Sequence, residues 1–130
     1  MENIITKFKT IYLEVKSEKG PCNLFMVLKM DDFTDKWSLA ISAKWITQEN
    51  KKEIFKYVAD KLTSRMSPAE ISTIARLGIF LPDEHLVNLF NSAVAIQGNG
   101  EPIRLVNTKI NGFQVHEAYI FESTRVLTNI

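Results

Sequence analysis

The stretch that decides the fold is residues 103–120, IRLVNTKINGFQVHEAYI. At its centre Asn111-Gly112 is the preferred pair for a two-residue type I′ hairpin turn, in which both central residues take positive φ. Apolar residues recur through both flanks, as strands require. Placing the turn fixes the register by arithmetic. On one face Ile110 meets Phe113, Thr108 meets Val115, Val106 meets Glu117 and Arg104 meets Tyr119. On the other, Lys109 meets Gln114, Asn107 meets His116, Leu105 meets Ala118 and Ile103 meets Ile120. The tail after about residue 123 is expected to fray.

A second hairpin is expected upstream. Residues 23–30 are short and nearly all apolar, and an Asp-rich turn at 31–35 follows. Trp37, Leu39, Ile41, Ala43 and Trp45 then alternate with Ser38, Ala40, Ser42 and Lys44, a strand with one bulky face and one small or polar face. Residues 74–81, mostly apolar, read as a further strand, closed by Pro82.

Helices fill the intervals. Ile4, Ile5, Phe8, Ile11, Tyr12 and Val15 fall on one helical face, and Gly20-Pro21 stops that helix. Thr47 is expected to cap a helix whose stripe is Ile54, Phe55, Val58 and Leu62. Ser67-Pro68-Ala69-Glu70 has the cap residue, the proline and the glutamate of a capping box. Pro82-Asp83-Glu84 opens a last helix with Leu86, Val87, Leu89, Phe90 and Ala93 inward. The predicted fold is α+β: residues 1–130 form one domain, a five-stranded, mostly antiparallel mixed sheet with helices mainly on one face. One parallel pair is expected from the strand–helix–strand passage through Leu89.

Composition narrows the function classes. The chain has 130 residues, 45% apolar and 24% charged, with a net charge of +1, ordinary values for one globular domain. The first 65 residues carry twelve basic and nine acidic side chains, the last 65 four and six. That mild asymmetry encodes no nucleic-acid groove, and Lys51, Lys52, Lys56 and Lys61 read as the solvated face of one helix. No run approaches the 18 apolar residues that suggest a membrane span, and the start lacks the order of a secretion signal. The single cysteine, Cys22, has no intrachain disulfide partner. A cytoplasmic, reducing compartment is expected.

Signatures of chemistry are sparse. Gly98-Asn99-Gly100 precedes a strand, whereas a phosphate cradle wants a helix behind it. His85, His116 and Cys22 share no zinc-ligand spacing. Cys22 opens an apolar strand and reads as a small buried hydrophobe rather than a nucleophile. No cofactor and no metal is implied. The C-terminal hairpin holds the candidate partner- or ligand-binding residues: Arg104, Asn107, Lys109, Gln114, His116, Glu117 and Tyr119. Glu117 draws most interest, because its strand face otherwise collects Phe113, Val115, Tyr119 and Phe121, and a carboxylate there needs a partner or water. Arg104 lies diagonally across from it.

The expected function is binding of a protein partner without chemistry. The concrete form is a bacterial immunity protein that neutralises a cognate toxin. The alternatives are a small enzyme or ligand-binding domain using Arg104, His116, Glu117 and Tyr119, and a homodimeric module paired through a sheet edge.

Overall fold

The computed structural model describes residues 4–30, 36–96, 101–110 and 112–124. In chain order these form α1 (Ile4–Lys19), β1 (Leu24–Met30), β2 (Trp37–Ser42), α2 (Lys51–Arg65), α3 (Pro68–Ile71), β3 (Ile74–Phe80), α4 (His85–Ala93), β4 (Ile103–Ile110) and β5 (Phe113–Ser123). The five strands make one mixed sheet in the order β3-β2-β1-β5-β4. The α+β class and the five-stranded sheet are as expected.

The C-terminal hairpin has the register that Asn111-Gly112 dictates. Ile110 pairs with Phe113, Thr108 with Val115, Val106 with Glu117 and Arg104 with Tyr119. Gly112 has φ +84°, while Asn111 lies outside the described residues, as do the turn at 31–35, the loop at 97–100 and the tail from 125. The first hairpin pairs Phe25 with Ile41 and Val27 with Leu39. The parallel pair is not the one expected. It joins β2 to β3 through α2 and α3, because α4 instead crosses from one edge of the sheet to the other.

Each sheet face has its own core. Phe8, Ile11, Tyr12 and Val15 of α1, with Ile54, Val58 and Leu62 of α2, pack on Phe25, Val27, Leu39, Ile41 and Phe121. Val87 and Phe90 of α4 pack on Leu24, Met26, Ala118 and Ile120 of the opposite face. Three of the four described helices therefore share one face. α1 is strapped to its neighbours by ion pairs: Glu14 with Lys61 and Arg65, Glu18 with Lys61, and Lys7 with Glu70 of α3 at 2.6 Å.

Local signals succeed where they are complete. Gly20 takes φ +117° and its N–H bonds to Lys16 O, ending α1. Ser67 and Glu70 form the reciprocal capping box. Four expectations fail for identifiable reasons. Thr47 does not cap α2. Asn50 holds that position without a side-chain cap, and Thr47 Oγ1 instead accepts from Asn50 N–H. Trp45 leaves the strand face it was assigned with Trp37, since β2 ends at Ser42 and the indole turns over Gly20 to donate to Pro21 O. Phe55 is 46% exposed rather than inward, since the buried stripe of α2 runs through Ile54, Val58 and Leu62. Ala93, at the last turn of α4, is exposed, and Asn91 is buried in its stead.

Candidate functional site

The expected hairpin residues do assemble in part. Arg104 Nε and Nη2 lie 3.0 and 2.9 Å from Glu117 Oε2, and Arg104 Cζ sits 5.9 Å from the Tyr119 ring centre. The Tyr119 ring is 6.0 Å from that of Trp37, and Lys29 Nζ lies 4.6 Å over Trp37. Lys29 and Glu117 are register partners. The result is a row of alternating cations and rings across β4, β5, β1 and β2. Beside it on the edge strand Val106 is nearly half exposed, whereas Ile103, equally exposed, lies on the opposite face with its register partner Ile120. The carboxylate of Glu117 is spent on Arg104, and the hydrogen bond between them holds the guanidinium all the more firmly in its charged form.

One part of the hairpin reading is overturned. Val115 does not share a face with Glu117 and Tyr119. It packs with Ala118, Ile120 and Ile110 on the α4 face, whereas Tyr119 packs toward α1 and α2. The cause is a bulge: against β1 the register steps from Lys29–Glu117 to Met30–Val115, leaving His116 as the extra residue. Opposite, Asn107 takes φ +48°, a conformation asparagine tolerates better than most residues. Both strands turn over at this point. The turnover sets the register pair Lys109–Gln114, expected on the opposite face, on the same side of the sheet as the Arg104–Glu117 pair.

The carboxylate that is truly inside is Glu122, at 5% exposure. A second bulge, at Phe121, lets Phe25 pair with Glu122 while Met26 pairs with Ile120. The odd residue rotates Glu122 off its alternation and in beneath α1. There its Oε1 accepts from the Tyr12 hydroxyl at 2.9 Å and from the Cys22 backbone N–H at 3.1 Å. Tyr12 also rings against Phe25 and Phe121. Burial, then the bond to Glu122, pushes the Tyr12 hydroxyl far above its ordinary range. Burial and the same carboxylate push the Cys22 thiol up likewise, against a weaker pull from Lys16. A thiol so placed is protonated at neutral pH, which opposes the nucleophile role. Sequence reasoning missed Glu122 because a bulge leaves no composition signal.

A third feature lies on the α4 face between β1, β2 and β3. Register places Ala40 between Met26 and Gly78, and Ser38 between Leu28 and Arg76. These short side chains leave a hollow of about 270 Å³, walled by Met26, Leu28, Phe80 and Leu86. The Phe80 ring lies back over Gly78, where a Cβ would meet it at 2.6 and 2.9 Å. On the other face of β3 a hollow of about 230 Å³ opens against α2, with Phe55, Ala59, Thr63 and Leu77 in its lining. The small face of β2, Ser38-x-Ala40-x-Ser42, was the signal available in the sequence.

Among the described residues no helix is long and apolar enough to cross a membrane. No protein-family model, no curated protein and no solved structure matches the chain.

Proposed function

We propose that the protein works by binding a protein partner and performs no chemistry, acting in the bacterial cytoplasm as an immunity protein that neutralises a toxin. The observation that carries this reading is the exposed end of the row, on the C-terminal hairpin. Val106 offers nearly half-exposed apolar surface on the same face as Arg104, itself more than half exposed, and the partly exposed Tyr119 ring, and arginine and large aromatic residues are the types that anchor interfaces. Two further observations support it. Glu117 and Arg104 neutralise one another instead of converging on an open cleft. The two hollows beside β3 are lined by other residues.

Affinity capture from native lysate, followed by purification of the captured protein and titration against variants, tests the reading. Val106→Asp is expected to weaken binding at least tenfold with unchanged melting, and the captured protein is expected to be toxic when expressed alone. Turnover of a small substrate that disappears in Glu117→Gln would sink it and restore the enzyme reading. A concentration-dependent dimer abolished by Val106→Asp would replace it with the homodimeric one.

A further inference from the structure

Among the described residues the sheet ends in two edge strands, β3 and β4, and β3 is the one better suited to receive another strand. β4 is broken by left-handed Asn107 and carries Arg104 and Lys109, the devices that discourage strand addition. β3 has a single irregularity, at Ala75, and pairs regularly with β2 from Arg76 to Phe80. Its outer backbone groups face away from the sheet. Hollows open on both sides of this edge, the one against α2 and the one floored by Ala40 and Gly78.

We infer that the β3 edge takes an extended segment of a protein partner as a sixth strand, a segment with alternating apolar side chains and acidic flanks. The side chains of a strand point alternately to opposite faces. A strand laid beside β3 therefore sends one set toward Phe55, Ala59 and Leu77 on the α2 side. It sends the other set past the Phe80 ring, which lies over Gly78, toward the hollow walled by Met26, Leu28 and Leu86. Main-chain hydrogen bonds supply affinity and the two hollows supply selectivity. Half-exposed Phe55, an unexplained apolar ring on an otherwise solvated flank of α2, becomes the wall of the first hollow.

Charge selects the occupant. Lys52 and Lys56 stand three residues before Phe55 and Ala59, on the same flank of α2, and both are exposed. Arg76 is exposed on β3 itself, and Lys36 lies by its start, where it donates to Ser72 O. Against these four cations stand Asp60, bound to Lys56 at 3.6 Å, and exposed Glu53, the acidic side chains of this flank of α2. A second copy of the chain would set Lys52 and Lys56 near their own counterparts, so an acidic foreign strand fits better. This surface is separate from the hairpin row, and the inference stands or falls without it.

Random dodecapeptides displayed on phage provide the test, selected on the immobilised full-length protein. Enriched peptides are then synthesised with a fluorescent label and titrated by polarisation. The expected peptides alternate apolar residues and carry Asp or Glu. Phe55→Glu and the double variant Lys52→Glu/Lys56→Glu should each weaken them at least tenfold, while Val106→Asp leaves the Kd unchanged. Both lysines are exposed, so the double variant decides the matter if Phe55→Glu melts early. N-methylation walked along the peptide should abolish binding at every second position, where the amide faces β3. The inference is overturned by no enrichment above a Phe55→Glu surface, by affinity indifferent to both variants, or by N-methyl losses without a period of two. Binding lost only in Val106→Asp would move the peptide to the hairpin, overturning this site while sparing the proposed function. A dimer in sedimentation that Phe55→Glu dissolves would show a second copy to be the occupant and overturn the foreign strand.

Discussion

Glu117 and Glu122 lie five residues apart on β5 and live in opposite surroundings. Glu117 sits at the rim, a quarter exposed, against a guanidinium that is itself more than half exposed. Glu122 lies under α1 and holds a phenol and a backbone amide. Simple alternation would set Glu122 on the α4 face, with Ala118 and Ile120, and Glu117 toward α1. The bulge at Phe121 brings Glu122 to the α1 face as well, but deeper, where the helix covers it. Burial, and not side-chain chemistry, decides which of the two is structural. A rim pair exchanges one set of hydrated contacts for another and changes stability little. A buried acceptor is costly to remove, because its donors stay behind without water.

The largest effect is therefore expected at Glu122. Glu122→Ala strands the Tyr12 hydroxyl and the Cys22 N–H in a dry core, at about 1–3 kcal/mol for each donor. The expected loss is about 2–5 kcal/mol in urea unfolding. Glu122→Gln keeps an acceptor oxygen and should lose distinctly less. Equal losses in the two variants would mean that the charge, rather than the acceptor, holds this part of the core.

Alkaline pH probes the same place without a mutation. Cys22 and Tyr12 have folded pKa values raised above their ordinary 9.0 and 10.0. A raised pKa gives stability that is complete below the unfolded value and is lost as pH climbs past it. The unfolded chain releases the thiol proton near pH 9 and the phenol proton near pH 10, whereas the folded chain retains both. Stability should hold flat from pH 7 to about 8.5 and then fall, steeply above 10. Native labelling of Cys22 by a thiol reagent should proceed only as fast as the protein opens. Rapid labelling at neutral pH, with stability level to pH 11, would place the thiol at the surface.

The turn that sets Glu117 opposite Val106 supplies the next effect in size. Gly112→Val puts a β-branched residue at φ +84°, where its Cβ meets nothing within 4 Å. The cost is thus backbone strain alone, more than about 1 kcal/mol. Wild-type melting of this variant would show that the hairpin does not depend on a left-handed glycine.

What was legible in the sequence was whatever short spacing controls. Asn111-Gly112 gave every pair of the hairpin that the structure describes, and the α1 stripe gave Phe8, Ile11, Tyr12 and Val15. Two kinds of information were not legible. Bulges at His116 and Phe121 shift side chains between faces without changing composition, so they hid Glu122 and misplaced Val115. Long-range order was the other. The meeting of Ala40 with Gly78 depends on β3 lying parallel to β2, and no local signal carries that pairing. The small face of β2 was visible, but its neighbour was not.

The smallest effect is expected at Glu117, the carboxylate that the sequence made most prominent. Glu117→Gln keeps an oxygen to accept from Arg104, and the guanidinium keeps water on its exposed side and the Tyr119 ring within reach. Nothing buried loses a partner. Melting should stay within about 3 °C of the wild type, the range of surface substitutions in a domain of this size. Partner binding should weaken no more than a few-fold, because a rim charge steers encounter more than it holds the complex. The salt dependence of the association rate should be the property that moves. If Glu117→Gln instead lowers melting as far as Glu122→Ala does, the rim pair is part of the core, and the contrast between the two carboxylates does not hold.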